Sequence, residues 1–319
     1  MTPRDRLLGS AVVLLWGLNF VALHIGLEQF PPLFFAGLRF AVLALPVVLL
    51  VRRPRVPLRW LVLYGSGFGI LQFAFLFTAM RAGMPTGLSS LVLQSSALFT
   101  VLLGALLLGE RLRPVQLAGL AVAVTGMVVI GWDRAQHASL LPVLLTLAGG
   151  LGWAFGNLGS RLAAAPGPDG ERPDPLALTL WMTVVPPIPM FVLSAFVEGP
   201  AAGPRALRHA FTPAGCSALI ALAFTAILAT LVGSSLWTTL MGRYPATTVA
   251  PLSLLVPVVG IAASWALLGE RPSVFALTGG VIVIAGAFAV TSPAVSAGSD
   301  RGVVGSGGTR RIADLDPVA

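Results

Sequence analysis

The chain contains no lysine; all twenty of its positive charges are arginine. That excludes a P-loop lysine, and with it a Walker-type ATPase, and it excludes a Schiff-base lysine nucleophile. Cys216 is the single cysteine, so there is no intramolecular disulfide and no thiolate metal cluster. His24, His137 and His209 are scattered, without metal-ligand spacing. No cofactor is implied. Charge of either sign is scarce. Charged residues make up 10% of the 319 residues, where a soluble domain carries roughly 25%. Such a chain has too little polar surface to cover a globule in water. A net charge of +8 would suggest nucleic acid in a soluble protein. Here the arginines stand in short loops between apolar runs, which speaks for membrane orientation and against a nucleic-acid partner.

What is present is apolar: 56% of residues are hydrophobic and the mean hydropathy is +0.90. A helix needs about 20 apolar residues to cross the hydrocarbon core of a bilayer. Ten stretches qualify or nearly so: 7–27, 33–51, 60–79, 86–108, 115–131, 140–160, 176–197, 214–239, 246–268 and 274–292. The fifth is short. The first follows Arg4 and Arg6 as a signal peptide would, but no small-residue cleavage pattern interrupts it and further spans follow, so it reads as a retained helix. The longest internal breaks are 161–175, rich in proline and glycine, and 198–213. Residues 292–319 contain Gly-Ser-Gly-Gly and no apolar run, and are expected to form a disordered cytoplasmic tail.

The chain repeats itself. Leu108-Gly109-Glu110-Arg111 returns as Leu268-Gly269-Glu270-Arg271, and Pro85/Pro245, Gly119/Gly279 and Gly126/Gly286 keep the same offset. Apolar runs in register with these residues make an internal repeat of helix, tight charged turn, helix. Each copy holds five spans, an odd number, so the second copy enters the membrane from the opposite side. With the N-terminus in the cytoplasm, fourteen arginines fall in cytoplasmic segments and five in the opposite ones, or eleven against five without the tail. Both termini are therefore expected inside. Inverted repeats build secondary transporters whose site lies near the bilayer midplane. The expected fold is an all-α integral membrane protein of ten transmembrane helices.

Few polar groups lie inside the spans. Arg39 is the only charge well inside one. It is a counter-charge for an anionic substrate group, or else a structural ion pair or an arginine that snorkels to the interface. Trp16 and Asn19 share a helix face, as do Trp153 and Asn157, and helices one and six open the two repeats. A zwitterionic ligand would use such groups; interface tryptophans and interhelical asparagine bonds are the alternative. Gln72, Gln94, Trp237 and Ser253 are weaker candidates of the same kind. Glu110 and Glu270 stand at helix ends beside arginines, where local capping or a salt bridge is the ordinary role and proton coupling the minority one. Gly65/Gly69 and Gly152/Gly156 are small-xxx-small pairs suited to close helix packing. The glycine-rich run Gly65–Gly69 lies within a span and not after a strand, which discards a nucleotide reading.

Trp16-Gly17-Leu18-Asn19-Phe20, Pro31-Pro32-Leu33, Gly37-Leu38-Arg39-Phe40, Leu91-Val92-Leu93-Gln94 and both Leu-Gly-Glu-Arg turns resemble the EamA family of the drug/metabolite transporter superfamily. The likeness runs over nearly all of residues 5–291 as two EamA units, 5–131 and 140–291. Gln72–Phe77 and Ala250–Gly260 are most similar to the bacterial O-acetylserine/cysteine exporters. The resemblance implies ten helices, export of a cysteine- or O-acetylserine-like metabolite across the bacterial inner membrane, and a central cavity lined from both repeats. The residues expected at that cavity are Trp16, Asn19, Arg39, Gln72, Gln94, Trp153, Asn157, Trp237 and Ser253. An exporter of drugs or other metabolites stays open beside this. A membrane-embedded enzyme is disfavoured, since no Ser-His-Asp set, HExxH or paired intramembrane carboxylates appear. A channel would not need the inverted repeat.

Overall fold

In a computed structural model, the structure describes residues 1–109, 112, 114–137, 139–166, 170–244, 249 and 252–291. The expected tail, Pro245, Pro251 and the Glu110-Arg111 half of the first turn lie outside them. Within the described residues the fold is helical, without strands. The apolar runs are α1 (Pro3–Gln29), α2 (Pro32–Leu50), α3 (Leu58–Arg81), α4 (Thr86–Leu108), α5 (Pro114–His137), α6 (Leu141–Ala163), α7 (Pro175–Val197), α8 (Gly215–Leu240), α9 (Val256–Leu268) and α10 (Val274–Thr291). The first eight are long and apolar enough to cross a membrane; the described parts of the last two are apolar but shorter. The fifth span, short by its apolar run, is a 24-residue helix, because its backbone continues through the polar residues up to His137. Leu45, Leu49, Phe196, Ile220 and Trp265 stand on the outer surface. An apolar exterior of this kind is stable in lipid and not in water. The protein is a multi-pass membrane protein.

Hydrogen bonds at the helix ends sort the ends into two layers. In one, Arg243 donates to Asp5 at 2.9 Å, Tyr244 donates to Asp5 at 2.7 Å, and the Trp181 indole donates to the Val51 carbonyl at 3.1 Å. In the other, Arg81 donates to the Leu27 carbonyl, Glu198 accepts from the Leu33 and Phe34 amides, and Ser273 donates to Asp133. Glu270 accepts from the Thr86 amide at 2.7 Å and the Gly87 amide at 2.9 Å, in that second layer. Glu270 is therefore no local cap. It satisfies two orphan donors at the start of α4, a helix 184 residues away in sequence.

The packing follows the repeat. α1 packs on α9 and α8, as α6 packs on α4 and α3, while α5 packs on α10 and α2 on α7. Exchanging both helices of a pair for their counterparts five places away in the other half gives another packed pair. The repeat glycines make close contacts of this kind. A methyl group on Gly126 would stand 2.6 Å from the Gly279 carbonyl oxygen, and one on Gly286 would stand 2.6 Å from the Gly119 carbonyl oxygen. Gly119 near the start of α5 thus meets Gly286 near the end of α10, so the two helices run antiparallel. The Gly152/Gly156 pair on α6 packs into α3: a methyl group on Gly156 would lie 2.7 Å from the Phe68 amide nitrogen. The Gly65/Gly69 pair faces Val185 and Pro186 at the bend of α7.

Besides α7, four spans are irregular, and they correspond in two pairs. Ser66–Leu71 in α3 and Phe224–Val232 in α8 are π-helical. α4 breaks in a turn at Leu93 and Gln94, and the chain ahead of α9 turns at Leu254 and Leu255. Gly109 and Gly269 end α4 and α9 in the left-handed region, with φ of 66° and 69°, where a residue without a Cβ is unstrained. Irregular backbone at membrane depth persists where it is buried in protein or lines a cavity.

Candidate functional site

The irregular stretches meet at one cavity. About 730 Å³ of empty space, its mouth included, is enclosed by α1, α2, α3, α4, α6, α8 and the segment entering α9. Seven of the nine residues singled out from the sequence line it: Trp16, Asn19, Arg39, Gln72, Gln94, Trp153 and Ser253. Phe68, Phe73, Ser90, Thr230 and Ser234 join them.

Arg39 is the charged group of the cavity and is 4% exposed. Its Nε and Nη2 donate to Thr230 Oγ1 at 3.3 and 2.8 Å. The guanidinium carbon stands 4.2 Å from the Phe73 ring centroid and 5.6 Å from that of Phe40. Its Nη1 has no partner among the described residues. No carboxylate among the described residues forms an ion pair with it, so the structural salt bridge weighed from the sequence is not made there. Asn19 Oδ1 and Gln72 Oε1 are likewise buried and unpaired. Half of the unpaired buried side-chain atoms among the described residues therefore belong to this one cavity. Leaving such a group unmet costs roughly 1–3 kcal/mol, more for a charged one, so three of them at one cavity make it the candidate site.

Aromatic rings and aliphatic side chains make the rest of the wall. Phe68 packs edge-on against Trp153 at 6.0 Å and against Phe73 at 6.1 Å. Trp16 donates to the Ala229 carbonyl at 3.0 Å, a bond that seats α1 on the π-helical part of α8. Gln94 donates to the Ser253 carbonyl at 3.3 Å and ties the two broken segments together.

Two sequence candidates stand elsewhere. Trp237 is behind the wall, its ring 5.2 Å from that of Trp16. Asn157 donates to Thr100 Oγ1 at 3.0 Å, between α6 and α4. Its expected equivalence with Asn19 fails on helix geometry. Asn19 is three residues from its tryptophan and Asn157 is four, and one residue is about 100° of helix rotation, enough to turn the second amide away from the cavity. Thr230 and Ser234 carried no sequence signal of their own. A threonine in an apolar helix ordinarily bonds its own backbone, and Thr225-x-x-x-x-Thr230 gives no hint that the helix widens there.

A helical membrane protein whose buried cavity is lined from two similar halves is built as many solute carriers are. The model of the EamA-like transporter family matches this chain twice, at residues 6–132 and 140–292. The chain belongs to that family, and it is a transporter and not an enzyme. It is 43% identical to a probable amino-acid metabolite efflux pump of Escherichia coli (strain K12), over 90% of this chain and 95% of that one. It is 41% identical to the protein of the same description in Salmonella typhimurium, with the same coverage. A crystal structure 21% identical in sequence matches 91% of this chain and 98% of its own with a TM-score of 0.58, which supports the fold.

Proposed function

We propose that the protein exports small amino-acid-like metabolites, of the O-acetylserine and cysteine kind, from the cytoplasm by alternating access. The observation that carries this reading is the cavity's pairing of a buried guanidinium with an unpaired nitrogen and two unpaired amide oxygens. A carboxylate meets the first and an ammonium group the second, which is the layout of an α-amino acid. The description of the two bacterial relatives as amino-acid metabolite efflux pumps supports the same class. A cationic drug would face the same guanidinium with no carboxylate in the described lining to offset it.

The architecture we propose is two five-helix repeats, 5–131 and 140–291, of inverted topology in a bacterial inner membrane, with both termini and the 292–319 tail cytoplasmic. The antiparallel contact of α5 with α10, and the exchange of packing partners between halves, support the inversion. Seven of the candidates, Arg39 foremost, form the binding site in this reading; Asn157 and Trp237 support it from behind. The test is uptake into inverted membrane vesicles, where export appears as accumulation. Labelled cysteine and O-acetylserine should accumulate with the wild-type protein, and little with Arg39→Gln at matched protein level. Running the assay with and without a pH gradient tests proton coupling. Uptake no greater than in vesicles lacking the protein would refute the proposal.

A further inference from the structure

Resting on the reading just given, we propose that Thr230 is the positioning residue of the site: it holds the Arg39 guanidinium so that one end stays free, and thereby makes the transporter select substrates with a free carboxylate. One hydroxyl oxygen accepts from both Nε and Nη2, at 3.3 and 2.8 Å, and so occupies the side edge of the guanidinium. Phe73 covers one face at 4.2 Å. What remains is the end edge carrying Nη1, which is buried and has no hydrogen-bond partner among the described residues. An arginine held by an edge and a face has lost its rotameric freedom before substrate arrives, so binding need not order it.

The hydroxyl proton explains why Thr230 serves. Thr230 donates it to the Thr225 carbonyl at 2.8 Å, five residues back. Thr78, Thr100 and Thr146 instead bond the carbonyl four residues back, as in ordinary helix. Thr230 lies within the π-helical stretch Phe224–Val232, whose wider turn supplies the fifth carbonyl. With its proton committed there, the oxygen presents lone pairs to Arg39. The π-helix is thus the element that turns a backbone-bonded threonine into a fixed acceptor for a charged side chain, in keeping with the frequent placement of such bulges at functional sites.

The test compares cysteine with cysteine methyl ester, which lacks the carboxylate charge, as competitors for labelled cysteine uptake in inverted vesicles. Wild-type protein should prefer the acid. Thr230→Val keeps the shape and removes the acceptor; its preference should fall by about tenfold, through KM and not through the maximal rate, the size expected for a mispositioned charged hydrogen bond. Thr230→Ser should restore the preference. If Thr230→Val does not reach the membrane, Thr230→Cys gives the same comparison, because sulfur is a weak acceptor, and the same loss is expected. Cysteine uptake with an unchanged acid-over-ester preference in these variants would overturn the inference alone. No cysteine uptake by the wild type would overturn the proposed function and this inference with it.

Discussion

Arg39 is buried among phenylalanine rings with a hydroxyl for a partner, and that arrangement separates its two candidate roles. A structural ion pair, once broken, leaves a buried acid uncompensated and lowers stability by about 3–5 kcal/mol. With no acid paired to Arg39 among the described residues, Arg39→Lys should leave the melting temperature in detergent near that of the wild type. It should nevertheless abolish the upward shift that cysteine produces, because lysine lacks the planar fork. Arg39→Gln should behave likewise and reduce efflux by about tenfold or more. A lower melting temperature with the substrate shift intact would remove Arg39 from the site. At this scale the sequence was legible wherever a polar residue interrupts an apolar span, since such residues are expensive in lipid. Trp16, Asn19, Gln72 and Gln94 were found that way. Thr230 was not, because its hydroxyl is tolerated anywhere in a helix. Asn157 lies outside the cavity lining, because spacing alone does not weigh one residue's rotation about the helix axis.

Helices in this protein meet through glycine, and the contacts are specific enough to predict unequal responses within one helix. A Cβ at Gly126 runs into the backbone of α10, whereas one at Gly131, five residues on, meets nothing within 4 Å. Gly126→Ala should destabilise by about 1–3 kcal/mol, as overpacking does. Gly131→Ala should be neutral or stabilising by up to about 1 kcal/mol, because alanine is the better helix former. Thermal melts in detergent check both, and equal shifts would show that the α5–α10 contact is looser than described. Glu270 offers a second case. Glu270→Ala strips the acceptor from two amides at the start of α4 and should cost about 1–2 kcal/mol; a melting temperature unchanged by that substitution would dismiss the cap. Element existence was readable from apolar run length. The bend and π-helical stretches were not, since they depend on what packs beside them: Gly65 and Gly69 face the bend of α7, and Gly152 and Gly156 press α6 into the backbone of α3.

The whole molecule is a duplicated unit whose copies pack through equivalent surfaces. In the α5–α10 contact, Gly119 and Gly279 hold the same place in their repeats, as do Gly126 and Gly286. The contact pairs the first glycine of one repeat with the second of the other, as a two-fold axis requires. Because the two helices run antiparallel, an axis relating them would cross them, as the proposed inverted topology requires. The repeat was legible in the four-residue turn and its prolines and glycines; the pairing of glycines across copies was not, because nothing in one sequence says which glycine meets which. The most direct test of the inversion is accessibility of single cysteines in a Cys216→Ser background, Cys216 being exposed. Leu112→Cys and Arg271→Cys report on the two turns, in intact cells treated with a membrane-impermeant maleimide. Inverted repeats predict that Arg271→Cys labels at once and Leu112→Cys only after permeabilisation; equal labelling of both in intact cells would contradict them.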